Sequence, residues 1–115
     1  MGDWEEVVAF TAALPGVEMA SYYGHSVPKL NGKPLVSPSR AEGSFTLYVS
    51  KAEKELLFET DPDTFWQTPH FANYPALLVR YGTDARERIE LYIQRAWWDR
   101  ARKAQRIAAG MKERP

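Results

Sequence analysis

The sequence predicts an α+β domain of two layers: an antiparallel sheet of about five strands covered by helices, in the order α-β-β-β-α-β-β-α. Three observations predict it. Asp3 with Glu6, Ser50 with Glu53 and Asp84 with Glu87 each have the spacing of a capping box, which opens a helix. Between these starts lie short β-branched and aromatic runs broken by Pro, Gly and Asn, the pattern of strands and turns. A chain of 115 residues, 44% hydrophobic and 13% aromatic, suits one core and one domain, residues 1–115.

The first helix starts at Asp3. Trp4, Val7, Val8, Phe10, Thr11 and Leu14 fall on one side of a 3.6-residue wheel, and Pro15-Gly16 ends it. From Val17 to Ser50 the pattern becomes VEMASYY, SVPKL, KPLV and SFTLYVS. Asn31-Gly32 separates the second and third runs and predicts a hairpin, because both residues tolerate the positive φ of a type I′ turn. Pro28 and Pro34 flank that turn and remove ladder donors, so the hairpin is expected to be short or at an edge. Residues 37–43, SPSRAEG, read as an exposed loop. In SFTLYVS, Phe45, Leu47 and Val49 alternate with Thr46, Tyr48 and Ser50, as in a half-buried strand.

Ser50 opens a short second helix through KAEKELLFE, and Asp61-Pro62 closes it. PALLVRYG, residues 75–82, is the most strand-like run and is expected to be central in the sheet. After Asp84 no Gly or Pro intervenes until Gly110, which predicts one basic C-terminal helix over about 84–109. Ile89, Tyr92, Ile93, Ala96, Trp97, Ala104 and Ile107 line its sheet-covering side.

The chain has no cysteine, which excludes disulfides, thiolate zinc sites and cysteine nucleophiles. The opening MGDWEEVVAF carries acids where a secretory signal carries bases, and no apolar run nears the roughly 18 residues of a membrane span. A cytoplasmic protein without a membrane partner is expected. Fifteen basic and 15 acidic side chains cancel, but unevenly. Residues 1–93 carry eight Lys/Arg against 13 Asp/Glu, and residues 94–115 carry seven against two, a basic arm on an acidic body. Along the C-terminal helix Arg88, Arg95 and Arg102 recur every seven residues, Arg106 follows one turn on, and Trp98 sits among them. A helix bearing such a row can touch successive phosphates of double-stranded DNA, with Lys29, Lys33 and Arg40 as loop support; the plainer reading is a solvated face.

Aromatic side chains supply the second candidate. Tyr22 and Tyr23 stand near one turn, and Trp66, Phe71 and Tyr74 near another, with His25 and His70 among them. Their convergence would make a groove for a small planar ligand or a partner protein, against a plain core-packing role. His70, in Thr-Pro-His-Phe, is read first as a residue of the turn that leads into the 75–82 strand, where its imidazole would bond a carbonyl or an acid. No pattern sets a base beside a nucleophile, no histidine pair has metal-ligand spacing, and the glycines stand singly, without a phosphate-cradling loop. Hence no catalytic residue, metal or cofactor is assigned, and a non-enzymatic protein, a monomer or weak homodimer, is expected.

Four stretches carry a resemblance over nearly the whole chain: LPGVE at 14–18, YYGHSVPKLNGK at 22–33, DPDTFWQTPHF at 61–71 leading into YPALLVRY, and AWWDRA at 96–101. In their order and spacing they resemble the MmcQ/YjbR-like family of small bacterial proteins. The proline-rich KPLVSPS departs from the uninterrupted Gly-Lys-aromatic strand more usual in that family. The resemblance implies a two-layer α/β fold akin to secretion chaperones and to the double-wing architecture, and through the latter a DNA-binding role; it carries over no reaction and no catalytic residue.

Overall fold

The structure, a computed structural model, describes residues 1–115. Helix α1 (Trp4–Ala12) is followed by strands β1 (Glu18–Tyr22), β2 (His25–Leu30), β3 (Lys33–Pro34), β4 (Val36–Pro38) and β5 (Ser44–Tyr48). Helix α2 (Lys51–Thr60), strand β6 (Phe65–Trp66), a 3₁₀ turn (Pro69–Phe71) and strand β7 (Ala76–Arg80) come next. Helices α3 (Arg86–Arg100) and α4 (Lys103–Ala108) close the chain. The α+β class holds.

Two of the three predicted caps form. The Glu6 amide donates to Asp3 Oδ1 at 2.9 Å and the Glu53 amide to Ser50 Oγ at 3.2 Å, each satisfying a donor that a helix start leaves unpaired. At the third start the helix opens instead at Ala85, with no side-chain cap. Asp84 and Glu87 therefore make no capping box.

In place of one sheet of about five strands, seven short strands form two antiparallel sheets, ordered β1-β2-β3 and β4-β5-β7-β6. They meet at Leu35, whose amide donates to the Pro28 carbonyl of the first and whose carbonyl accepts from the Tyr48 amide of the second. Pro34 has no amide hydrogen to continue the ladder, so the chain turns from one sheet into the other there. Asn31 (φ 53°) and Gly32 (φ 81°) make the expected left-handed hairpin turn. β7 is central, as its apolar density predicted, pairing with both β5 and β6.

Phe45 and Leu47 of β5 and Leu77 and Val79 of β7 point to one face, where they pack with Val7, Leu57, Ile89, Tyr92 and Ile93 of the helices. A smaller cluster joins Leu30 and Leu35 to Ala96, Trp97 and Ala101. Thr46 and Leu78, on the opposite face, are buried as well, so β5 is not the half-buried strand its alternation suggested.

The single helix over about 84–109 is a correction. Ala101 is extended (ψ 144°) and the helix breaks there, although no Gly or Pro stands nearby. Side chains make the break. Gln105 Oε1 accepts from the Arg102 amide at 2.8 Å, opening α4, and the Arg106 guanidinium donates to the freed Trp98 carbonyl from Nε (3.0 Å) and Nη2 (2.6 Å). Across the fold, Asn31 Nδ2 donates to the Arg100 carbonyl and to Gln105 Oε1, both at 2.8 Å, while Ala101 is buried beside Leu30 and Leu35. Ala104 and Ile107 consequently leave the sheet-covering side and are exposed.

Candidate functional site

The break disperses the arginine row, because a residue placed by helical periodicity keeps its azimuth only while the helix continues. Arg88 meets Asp61 at 3.6 Å and Arg95 meets Glu53 at 3.5 Å. Arg95 Nε also donates to the Pro115 carbonyl at 2.7 Å, and its guanidinium lies 4.9 Å from the Tyr92 ring centre. Arg106 is spent on the Trp98 carbonyl and lies over the Trp98 ring at 4.4 Å, so Trp98 is covered rather than presented. Only Arg102 of the four is exposed without an ion pair or side-chain hydrogen bond. It stands beside exposed Lys103 at the helix break, against which Asn31 sets the hairpin that carries Lys33. Lys29 is turned along the neighbouring strand β1, donating to the Ser21 carbonyl at 2.8 Å beneath the Tyr22 ring.

The aromatic set fares differently. Tyr22, Tyr23 and His25 of the β1–β2 turn face His70, Phe71 and Tyr74 of the 3₁₀ segment across a groove of about 720 Å³. Its floor is the outer face of the second sheet, with Ser37, Thr46, Tyr48 and Leu78, and the loop carrying Arg40 closes one side. Trp66 does not line it. Its Nε1 donates to Ser44 Oγ at 3.0 Å under the Arg80 guanidinium, 4.9 Å from the ring centre, so it covers the sheet beyond the groove.

Local chemistry sets each wall. Tyr22 pairs with His25 across a two-residue turn in which Tyr23 (φ 47°) and Gly24 (φ 82°) are both left-handed. That conformation is costly for a bulky side chain and routine for Asn or Gly. Tyr23 is nevertheless 88% exposed, its ring meeting only Tyr22 edge-on at 4.7 Å. Strain and exposure together find no explanation in packing.

The opposite wall hangs on Lys54. This α2 side chain is 5% exposed and its Nζ donates to the Phe71 carbonyl and, at 2.8 Å, to the Tyr74 carbonyl. Burial lowers its pKa. His70 makes no hydrogen bond that fixes the turn, a correction to the sequence reading; Lys54 fixes it, and the exposed imidazole stacks on Tyr74 at 6.5 Å and meets Phe71 edge-on at 5.4 Å. In the floor, Tyr48 bridges Ser37 Oγ (3.0 Å) and the Tyr22 hydroxyl (3.4 Å). Burial raises its pKa far above the ordinary phenol value, with the Ser37 bond opposing, so the group is a neutral hydrogen-bonding hydroxyl.

Sequence reasoning missed Lys54 and Tyr48. Tyr48 carries a signal, its place on the second face of a strand whose neighbours include Thr46; Lys54 reads as one more helix-surface lysine, because its partners lie 17 and 20 residues away. No group of three or more His, Cys, Asp or Glu side chains is placed to hold a metal ion. No helix is long and apolar enough to cross a membrane. No family model, curated protein or solved structure matches the chain.

Proposed function

We propose that this protein is a non-enzymatic binding module that takes a small planar molecule into the groove between the β1–β2 turn and the 69–74 segment. One observation carries the reading. Six aromatic and imidazole side chains from segments some 45 residues apart in sequence meet around one concavity, and one of them, Tyr23, is held exposed in a strained conformation. Flat rings, hydroxyls on the floor and a volume within the usual range of ligand sites suit a planar guest. The resemblance to MmcQ/YjbR-like proteins remains part of this proposal.

A titration of the protein with planar aromatics, followed by amide chemical shifts, tests the reading. Shifts should concentrate at residues 22–25, 46–48 and 68–74, and Tyr22→Ala should weaken binding about tenfold, the loss of a stacking contact with its buried area. Absence of binding by every member at millimolar concentration overturns it.

DNA binding stands as a second reading, favoured by one observation: Lys33, Arg102 and Lys103 gather at the helix break without acidic partners. Three phosphate contacts would lower affinity for duplex DNA by roughly fortyfold between 50 and 200 mM salt, and Arg102→Ala with Lys103→Ala would flatten that dependence. A slope unchanged by the two substitutions rejects the patch.

A further inference from the structure

The groove is electrostatically one-sided. None of its lining residues is Asp or Glu, whereas Arg40 and both histidines of the chain belong to the lining. This is uncommon on a body whose first 93 residues carry 13 acids. Arg40 is exposed, makes no ion pair and has no side-chain hydrogen bond, so its charge is free for a guest.

Two further cations reinforce the sign. The Lys29 ammonium lies 5.3 Å from the Tyr22 ring centre, behind the first wall. Arg100 is half-buried and lies near Tyr48 of the floor. Its Nε is buried without a partner and its Nη1 reaches only the Ala96 carbonyl, at 3.3 Å. The carboxylate next to it, Asp99, is engaged by Arg114 at 2.8 Å and 2.9 Å. A guanidinium short of counter-charge raises the potential around it and favours an anion nearby.

We infer that the guest is an aromatic anion, a planar ring system bearing a carboxylate or comparable acid, with its rings between Tyr22 and the His70–Tyr74 pair and its charge toward Arg40. The inference rests on the groove reading above and adds the sign and place of the charge. Charge-assisted bonds from a guanidinium are the stronger kind and match a planar carboxylate through two parallel N–H donors. The floor hydroxyls of Ser37, Thr46 and Tyr48 supply neutral donors and acceptors for ring substituents without adding negative charge.

Three probes of one shape test it: 2-naphthoate, 2-naphthamide and 2-naphthylmethylammonium, titrated by calorimetry into the full chain and into Arg40→Gln. The carboxylate should bind about tenfold more tightly than the amide at low salt, and the ammonium more weakly than the amide. In Arg40→Gln the carboxylate should fall to the affinity of the amide, with amide binding retained. Equal binding of carboxylate and amide to the unaltered protein overturns the charge assignment and leaves the groove; binding of none overturns both. A carboxylate preference undiminished in Arg40→Gln overturns the role given to Arg40.

Discussion

Single residues reveal the function of this molecule most clearly where they serve stability poorly. Tyr23 occupies the first position of a type I′ turn, where Asn would sit without strain. Tyr23→Asn should therefore raise stability by about 1 kcal/mol, the cost of a left-handed bulky residue, while weakening ligand binding. Thermal unfolding and the groove titration, measured on the same variant, separate the two effects; a loss of stability would assign Tyr23 to packing.

Lys54 is the converse case, a buried ion kept because it holds other residues in place. Its ammonium bridges two carbonyls of the 69–74 segment, and methionine can fill the stem but cannot donate. Lys54→Met should cost about 1.5–3 kcal/mol, the range for hydrogen bonds made by a charged group. It should also speed amide exchange at Phe71–Tyr74 and loosen the groove; unchanged exchange would show that the turn holds itself.

Elements, taken whole, show local preference being overruled. From Asp84 to Ala109 every residue tolerates a helix, yet the chain breaks at Ala101, because hydrogen bonds involving Asn31, Gln105 and Arg106 are made only in the broken form. Asn31→Gly keeps the left-handed turn and removes only the side chain. It should destabilise the protein by about 1–2 kcal/mol and increase exchange across residues 103–109 before the rest of the fold. Uniform exchange across the whole chain would mean that the junction is not the seat of the effect. The α1 and α2 starts behaved as their caps foretold, since an N-cap bond reaches only three residues along the chain.

At the scale of the molecule, separate segments are tied by charge as well as by the core. Glu53, 9% exposed, receives Arg95 from α3 at 3.5 Å and Arg114 from the C-terminal segment at 2.6 Å, and Arg114 also clasps Asp99. Those bonds to Asp99 and Glu53 hold the Arg114 pKa above its ordinary value. The positive charge of the last 22 residues is thus partly turned inward, which is why net charge by segment overstated the basic surface.

Burial raises the Tyr81 pKa to about 12, with Asp3 adding to the rise. For a group whose folded pKa exceeds the unfolded value near 10, the unfolded chain loses the proton first. Stability is therefore whole below pH 10 and falls as pH climbs toward 12, and Tyr48 acts in the same direction. Tyr81→Phe should shift the alkaline unfolding midpoint upward; an unmoved midpoint would assign alkaline unfolding to other groups.

The sequence by itself determined what is decided within a few residues: two helix starts, the Asn31-Gly32 turn, the central β7 run and hence the α+β class. Six of the seven residues it proposed for the groove do line it, because exposed turns rich in aromatics and imidazoles are conspicuous in any chain. Tertiary structure alone decided the bend at Leu35, the break at Ala101, the departure of Trp66 from the groove and the role of Lys54. Each depends on partners from about 7 to 74 residues away, and bonds over such separations exist only once the chain has closed on itself.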